Sequence, residues 1–184
     1  MFTCRIDDDL ELRLPEERDA DAMFALTDDN REYLRSWLPW VDATKAVDAT
    51  LAFIKNVRKE YAEGSNVPNF MWYKKKLVGS ISLFGINPHG CAEIGYWVAE
   101  KSQGKGIITR SCKALMQHGF ETLKLNRIQI RCAVDNKKSR SVIDKLGFKE
   151  IGIHRQSEKH TDGYKDIFNF DLLADEWREM KGKQ

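Results

Sequence analysis

Charge of one sign is what this chain most plainly lacks. Its 30 Lys and Arg stand against 28 Asp and Glu, a formal net charge of +2 over 184 residues. A surface so balanced does not carry the basic footprint that neutralises nucleic-acid phosphates, and no direct nucleic-acid partner is expected. Of two short basic runs, Lys74-Lys75-Lys76 reads as a solvated turn, while Lys137-Lys138 falls in a motif taken up below. Cysteine is scarce as well. Cys4, Cys91, Cys112 and Cys132 show no C-x-x-C spacing and no His at metal-ligand distance, which speaks against a zinc site or a disulfide framework and fits a reducing cytoplasm. No metal is expected.

Long apolar runs are missing too. No stretch approaches the ~18 residues of a membrane span, and Asp7-Asp8-Asp9 arrives where a signal peptide would place its apolar segment. The chain is expected to be neither secreted nor membrane-embedded. Internal repeats and low-complexity linkers are also lacking, so a single domain over 1–184, with its core at about 10–172, is the expectation. Two phosphate-binding signatures are absent. There is no Gly-x-x-x-x-Gly-Lys-Ser/Thr, and Thr109 stands where a dinucleotide fingerprint needs its third glycine.

Present instead are clear periodicities. Leu10 to Leu14 alternates and stops at Pro15, giving a strand, and Ala22, Met23 and Leu26 recur at helical spacing behind the acidic start Glu16, Glu17, Asp19. The aromatic stretch Tyr33 to Trp40 reads either as a hydrophobic clamp between helices or as a pocket wall. Being apolar, it also makes a homo-oligomer plausible. A second helix holds Leu51, Ile54, Val57 and Tyr61. Strands then follow at 69–73, 77–84 and 91–99 in an antiparallel meander.

The segment Trp97-Val98-Ala99-Glu100-Lys101-Ser102-Gln103-Gly104-Lys105-Gly106-Ile107-Ile108-Thr109 leads from that meander into a helix with Ile108, Cys112, Leu115, Met116 and Phe120 on one face. A helix N-terminus behind glycines offers free N–H groups and a positive dipole end, which suits a phosphate, but Gly-x-Gly alone is weak evidence. The alternating segment Arg127 to Val134 completes a strand–helix–strand unit whose strands run parallel. Asn136 therefore falls at the C-terminal end of the second strand, where ligands of such sheets bind. A helix then runs to Leu146 and closes on Gly147. Strands at 148–153 and 164–172 flank a polar segment with His154, Glu158, His160 and Asp162, whose histidines are expected to be exposed.

Two motifs carry a family resemblance. Gln103-Gly104-Lys105-Gly106-Ile107-Ile108 is similar to the Gln/Arg-x-x-Gly-x-Gly/Ala loop of the GNAT superfamily of acetyl-CoA-dependent N-acetyltransferases. Asn136, Ser139 and Leu146-Gly147-Phe148 match its second segment. The phrases "NREYLRSWLPWVD" and "AEIGYWVAEKSQGKGIITRS" resemble the RimJ/RimL branch, which acetylates the N-termini of ribosomal proteins. The resemblance runs from Leu10 to Leu172. It implies an α/β (α+β) acyl-CoA N-acyltransferase fold: a mixed, mostly antiparallel sheet of about seven strands flanked by helices, with splayed parallel strands at the cofactor site.

The resemblance further implies acetyl-CoA as donor and direct transfer to a protein N-terminal amine. The rival acceptor is a small amine such as an antibiotic or a polyamine, and the rival function a non-catalytic acyl-CoA-binding module. Trp97, Val98 and Ala99 would present backbone groups to the pantetheine arm. Gln103, Gly104, Lys105, Gly106, Ile107, Ile108 and Thr109 would hold the pyrophosphate, and Asn136 would bond the arm. Glu158, in a segment resembling the base-bearing segment of the RimL branch, is the first candidate base, and Glu93 the second. Many family members carry a tyrosine at the position of Ile143 to protonate the CoA thiolate, a role the branch resemblance transfers to Ser139.

Overall fold

The computed structural model describes residues 3–182. Strands β1 (Thr3–Arg5) and β2 (Leu10–Arg13) precede helices α1 (Ala20–Asp29), α2 (Arg31–Arg35) and α3 (Val47–Ala62). The meander β3 (Asn66–Tyr73), β4 (Lys76–Phe84) and β5 (Cys91–Val98) leads into α4 (Ile107–Gln117) and β6 (Arg127–Ala133). Helix α5 (Lys137–Lys145), the hairpin β7 (Lys149–His160) and β8 (Gly163–Leu173), and α6 (Ala174–Gly182) complete the order. The strands form one sheet in the order β1-β2-β3-β4-β5-β6-β8-β7.

Every neighbouring pair is antiparallel except β5 and β6, which α4 connects as a parallel crossover. The sheet has one strand more than the sequence suggested, because β1 is three residues long and too short for alternation to show. Strand periodicity sorts the side chains onto two faces. Ala92, Ile94 and Met71 join Cys112, Leu115 and Met116 of α4, Ile143 of α5 and Trp177 of α6 in the larger core. On the opposite face Phe70 packs with Ala20, Met23 and Ile54 of α1 and α3, and Trp97 joins them at the margin.

Two features of the sheet place the site. First, β5 and β6 pair only at Cys91–Arg127, Ala92–Ile128 and Glu93–Gln129, then part. Beyond Glu93, β5 keeps β4 alone as a neighbour, and the sheet is open between the two strands. The close approach of β4 and β5 depends on Gly79, where a Cβ would run into the carbonyl oxygen of Trp97. Second, β7 continues through His160. The polar segment expected between the last two strands is itself strand, with Glu158 opposite Lys165 and a two-residue turn at Thr161-Asp162. Its edge position leaves both faces largely wet, which erases the apolar alternation that would announce a strand. A register shift between His154 and Glu158, with Gln156 at φ 47°, bends the strand there.

Candidate active site

The opening between β5 and β6 widens into a cleft of about 970 Å³. At one end lies the glycine loop. Gly104 and Gly106 adopt φ of 72° and 69°, a left-handed conformation that side chains resist, so glycine is required there by the backbone itself. A Cβ on Gly104 would meet nothing within 4 Å, and one on Gly106 only Arg110 Nε at 3.9 Å, so the space in front of the loop is open. Gly106 is the N-cap of α4 and offers no side chain. The first helical bond runs from Arg110 N–H to the Gly106 carbonyl, at 3.0 Å. The amides of Ile107, Ile108 and Thr109 precede it and face the cleft end with the positive pole of the helix. The side chains of Ile107 and Ile108 are buried in the core, so Ile108, where the family motif has Gly or Ala, takes nothing from this cradle.

The loop is braced from behind. Arg110 reaches the carbonyls of Lys105 at 3.2 Å and Gly106 at 3.4 Å and pairs with Asp7, whose carboxylate also accepts the amides of Asp9 and Leu10 at 2.9 Å. Two expected cofactor residues stand apart from the cleft. Lys105 turns its ammonium to the Lys101 carbonyl at 2.9 Å, and its side chain does not line the opening. Ala99 is buried, donates to the Val78 carbonyl at 2.8 Å and accepts from Ser102 at 2.9 Å, so its main chain is already committed to the β4 side. Trp97, Val98, Gln103, Gly104, Gly106, Ile107, Ile108 and Thr109 do line the cleft. Gln103 holds Lys138 Nζ at 2.8 Å and draws α5 toward the loop.

Asn136 caps α5, its Oδ1 accepting the Ser139 amide at 3.0 Å, an arrangement worth about 1 kcal/mol of helix stability. The cap sets Ser139 at the cleft wall, where its Oγ lies 2.9 Å from the phenol oxygen of Tyr96 on β5. Cys132, beside them, is buried and its thiol is pushed up to about 11 by burial. Cys112 is fully buried on α4 and also raised, so burial disfavours the reactive thiolate form of both.

The carboxylates occupy the other face of the opening. Glu93 is the last residue of β5 paired with β6, and Arg131 on β6 donates through Nε to both its oxygens at 3.0 and 3.1 Å. Arg131 Nη1 lies 3.4 Å from Glu158, whose second oxygen is 3.5 Å from His160 Nε2. Burial raises the Glu93 pKa and Glu158 adds to that, while Arg131 works against the rise. Contrary to expectation, His160 is buried, its side chain 1% exposed, and of the two histidines in this segment His154 alone is exposed. Tyr33, Leu34, Trp37 and Leu38 line the same cleft, so the aromatic stretch is a pocket wall, with Trp40 at 42% exposure outside it. Lys165 lies 5.0 Å from the ring of Trp37 and ties the wall to β8. Tyr96, Arg131 and Lys165 were missed by sequence reasoning, since each reads as an ordinary strand residue. Among the described residues no group of three His, Cys, Asp or Glu is arranged to hold a metal, and no helix is long and apolar enough to cross a membrane.

Comparison with known proteins agrees with this geometry. Residues 9–149 match the model of the acetyltransferase (GNAT) domain. The chain is 36% identical over 183 residues to YdaF of Bacillus subtilis (strain 168), provisionally assigned as a ribosomal N-acetyltransferase, covering 98% of this chain and 100% of that protein. It is 30% identical over 174 residues to the ribosomal-protein-serine acetyltransferase of Escherichia coli (strain K12), covering 94% and 97%. Among solved structures it is similar to RimL, a ribosomal alpha-N-protein acetyltransferase, in complex with coenzyme A. That match has a TM-score of 0.91 and 27% identity, over 95% of this chain and 99% of the other. The chain belongs to the GNAT acetyltransferase family, of the RimJ/RimL type, and is an N-acetyltransferase.

Proposed function

We propose that this protein, as a single domain working in the cytoplasm, transfers the acetyl group of acetyl-CoA directly to the N-terminal α-amine of a ribosomal protein. The reading rests above all on the parting of β5 from β6, which sets the hydroxyl pair Tyr96–Ser139 and the carboxylates Glu93 and Glu158 at one opening from opposite faces of the sheet. The relatives named for ribosomal acetylation support the acceptor, and the structure of RimL with coenzyme A supports the donor.

The residues present fit coenzyme A. Open space before two left-handed glycines, above the uncapped amides of α4, suits a pyrophosphate. The unpaired edge of β5 at Trp97 and Val98 suits the pantetheine amides, as an added strand would. Asn136, which lines the same cleft and whose Nδ2 has no partner among the described residues, would bond that arm. When bound, acetyl-CoA supplies an acyl group on a good leaving group, the thiolate.

Glu158 is the base. An N-terminal amine has a pKa of about 8, so its neutral form costs little near neutrality, and a carboxylate takes the proton that the nitrogen sheds as it attacks the thioester. Glu93 is the weaker candidate because Arg131 engages both its oxygens, whereas Glu158 meets Arg131 only once and at 3.4 Å. Ser139 donates to the departing sulfur, and the wall of Tyr33, Trp37 and Leu38 shields the amine from water. Incubation with acetyl-CoA and isolated ribosomal proteins, followed by mass spectrometry, tests the proposal. An acetylated N-terminus is expected; acetylation of a small amine alone would replace the acceptor, and no acetylation of either would overturn the reading.

A further inference from the structure

The cleft holds a second hydroxyl. Tyr96 enters from β5 with its ring packed against the main core and its phenol oxygen 2.9 Å from Ser139 Oγ. Burial raises the phenol pKa far above the usual range; the neighbouring Cys112 and Cys132 add to the rise and the bond to Ser139 opposes it. A phenol so placed stays neutral, and it is no source of a proton.

The two hydroxyls differ in chemistry, and the difference orients the bond. A phenol O–H is the more acidic and hence the better donor, while an alkyl hydroxyl oxygen is the better acceptor. With Tyr96 donating, the hydrogen of Ser139 is free to point elsewhere. Its neighbours are the Cys132 thiol, which lies within its hydrogen-bonding reach, and the cleft itself. In a site of low dielectric, accepting one hydrogen bond polarises the hydroxyl and strengthens the one it makes.

We propose that Tyr96 is a positioning residue for thioester cleavage: by donating to Ser139 Oγ it turns the serine hydrogen toward the sulfur of the departing CoA. The proposal rests on the reading of Ser139 given above. As the nitrogen–carbon bond forms and the carbon–sulfur bond breaks, the electron pair of the latter stays on sulfur, where the Ser139 hydrogen bond receives it. The amine proton passes to Glu158. Tyr96 keeps its own proton throughout, and the sulfur takes up one from solvent after release.

The test needs no acceptor. Affinities of the full chain for CoA and for desulfo-CoA are measured by calorimetry across the pH range in which the CoA thiol ionises. Their ratio isolates what the protein does for the sulfur. Cys132 is pushed up to about 11 and Cys112 is raised further; the charged groups facing Cys132 are Arg140, Asp135 and Asp144. The wild-type ratio is expected to rise as the thiol ionises, and Ser139→Ala to lower that rise about tenfold, the worth of a hydrogen bond to a charged group. Tyr96→Phe, which keeps the ring and its packing, is expected to lower it about threefold, as for a neutral hydrogen bond. The double variant should match Ser139→Ala alone, because Tyr96 acts through Ser139. If Tyr96→Phe behaves as wild type while Ser139→Ala does not, or if the two losses add, the proposal is overturned and the reading of Ser139 stands. If Ser139→Ala itself behaves as wild type, both fall.

Discussion

Arg131 grips Glu93 through both carboxylate oxygens, at 3.0 and 3.1 Å, yet meets Glu158 only at 3.4 Å. One cation is thus shared unequally between two acids, and the less engaged acid is the more available to an amine. Glu158→Gln is expected to lower kcat by about 100- to 10,000-fold, the range for loss of a general base. Glu93→Gln should cost about tenfold or less, because it loosens Arg131 without removing the base. Steady-state kinetics of the two variants decides the matter, and a reversed order would move the base to Glu93.

The brace behind the glycine loop carries a pH signature. The Asp7 pKa is lowered by the Asp9 amide first and the Arg110 bond next. A carboxylate depressed in the folded state adds stability that is present above its unfolded pKa and is lost as pH falls through the folded one. Asp7→Asn should therefore melt below wild type at neutral pH, with the gap closing as pH drops below the carboxylate range. Melting curves at several pH values measure this, and a gap independent of pH would contradict it.

Asn136 performs two tasks that substitution can separate. Asn136→Ala removes the cap and should cost about 1 kcal/mol of stability. Asn136→Asp keeps an oxygen for the Ser139 amide but loses the Nδ2 donor. Both should bind CoA more weakly, and only the alanine variant should melt earlier. Calorimetry and thermal denaturation of the pair provide the check.

Gly106→Ala places a side chain at φ 69°, a strain of about 1–2 kcal/mol. Gly64, at φ 77° just beyond α3, gives a control with similar strain outside the cleft. Both alanine variants should lose comparable stability, whereas only Gly106→Ala should raise the KM for acetyl-CoA. Equal KM effects would remove the loop from cofactor binding.

The parts of the molecule legible in the sequence are those where one face is dry. The alternation of Arg127 to Ala133 and the apolar stripe of α4 announced the parallel crossover, and Gly104 and Asn136 marked the end at which the cleft opens. Strand β7 was hidden by its wet faces, and the burial of His160 with it. Tyr96 and Arg131 meet partners 43 and 38 residues away in sequence, a relation that spacing along a chain does not record.

The split sheet also bears on the order of events. Because β5 and β6 remain joined through Glu93 and diverge only beyond it, the gap is reached from two sides, with the glycine loop at one and the carboxylates at the other. Neither reactant has to pass through the place of the other. Initial-rate plots in double-reciprocal form should intersect for this enzyme, and a dead-end amine should block neither the entry nor the exit of the donor.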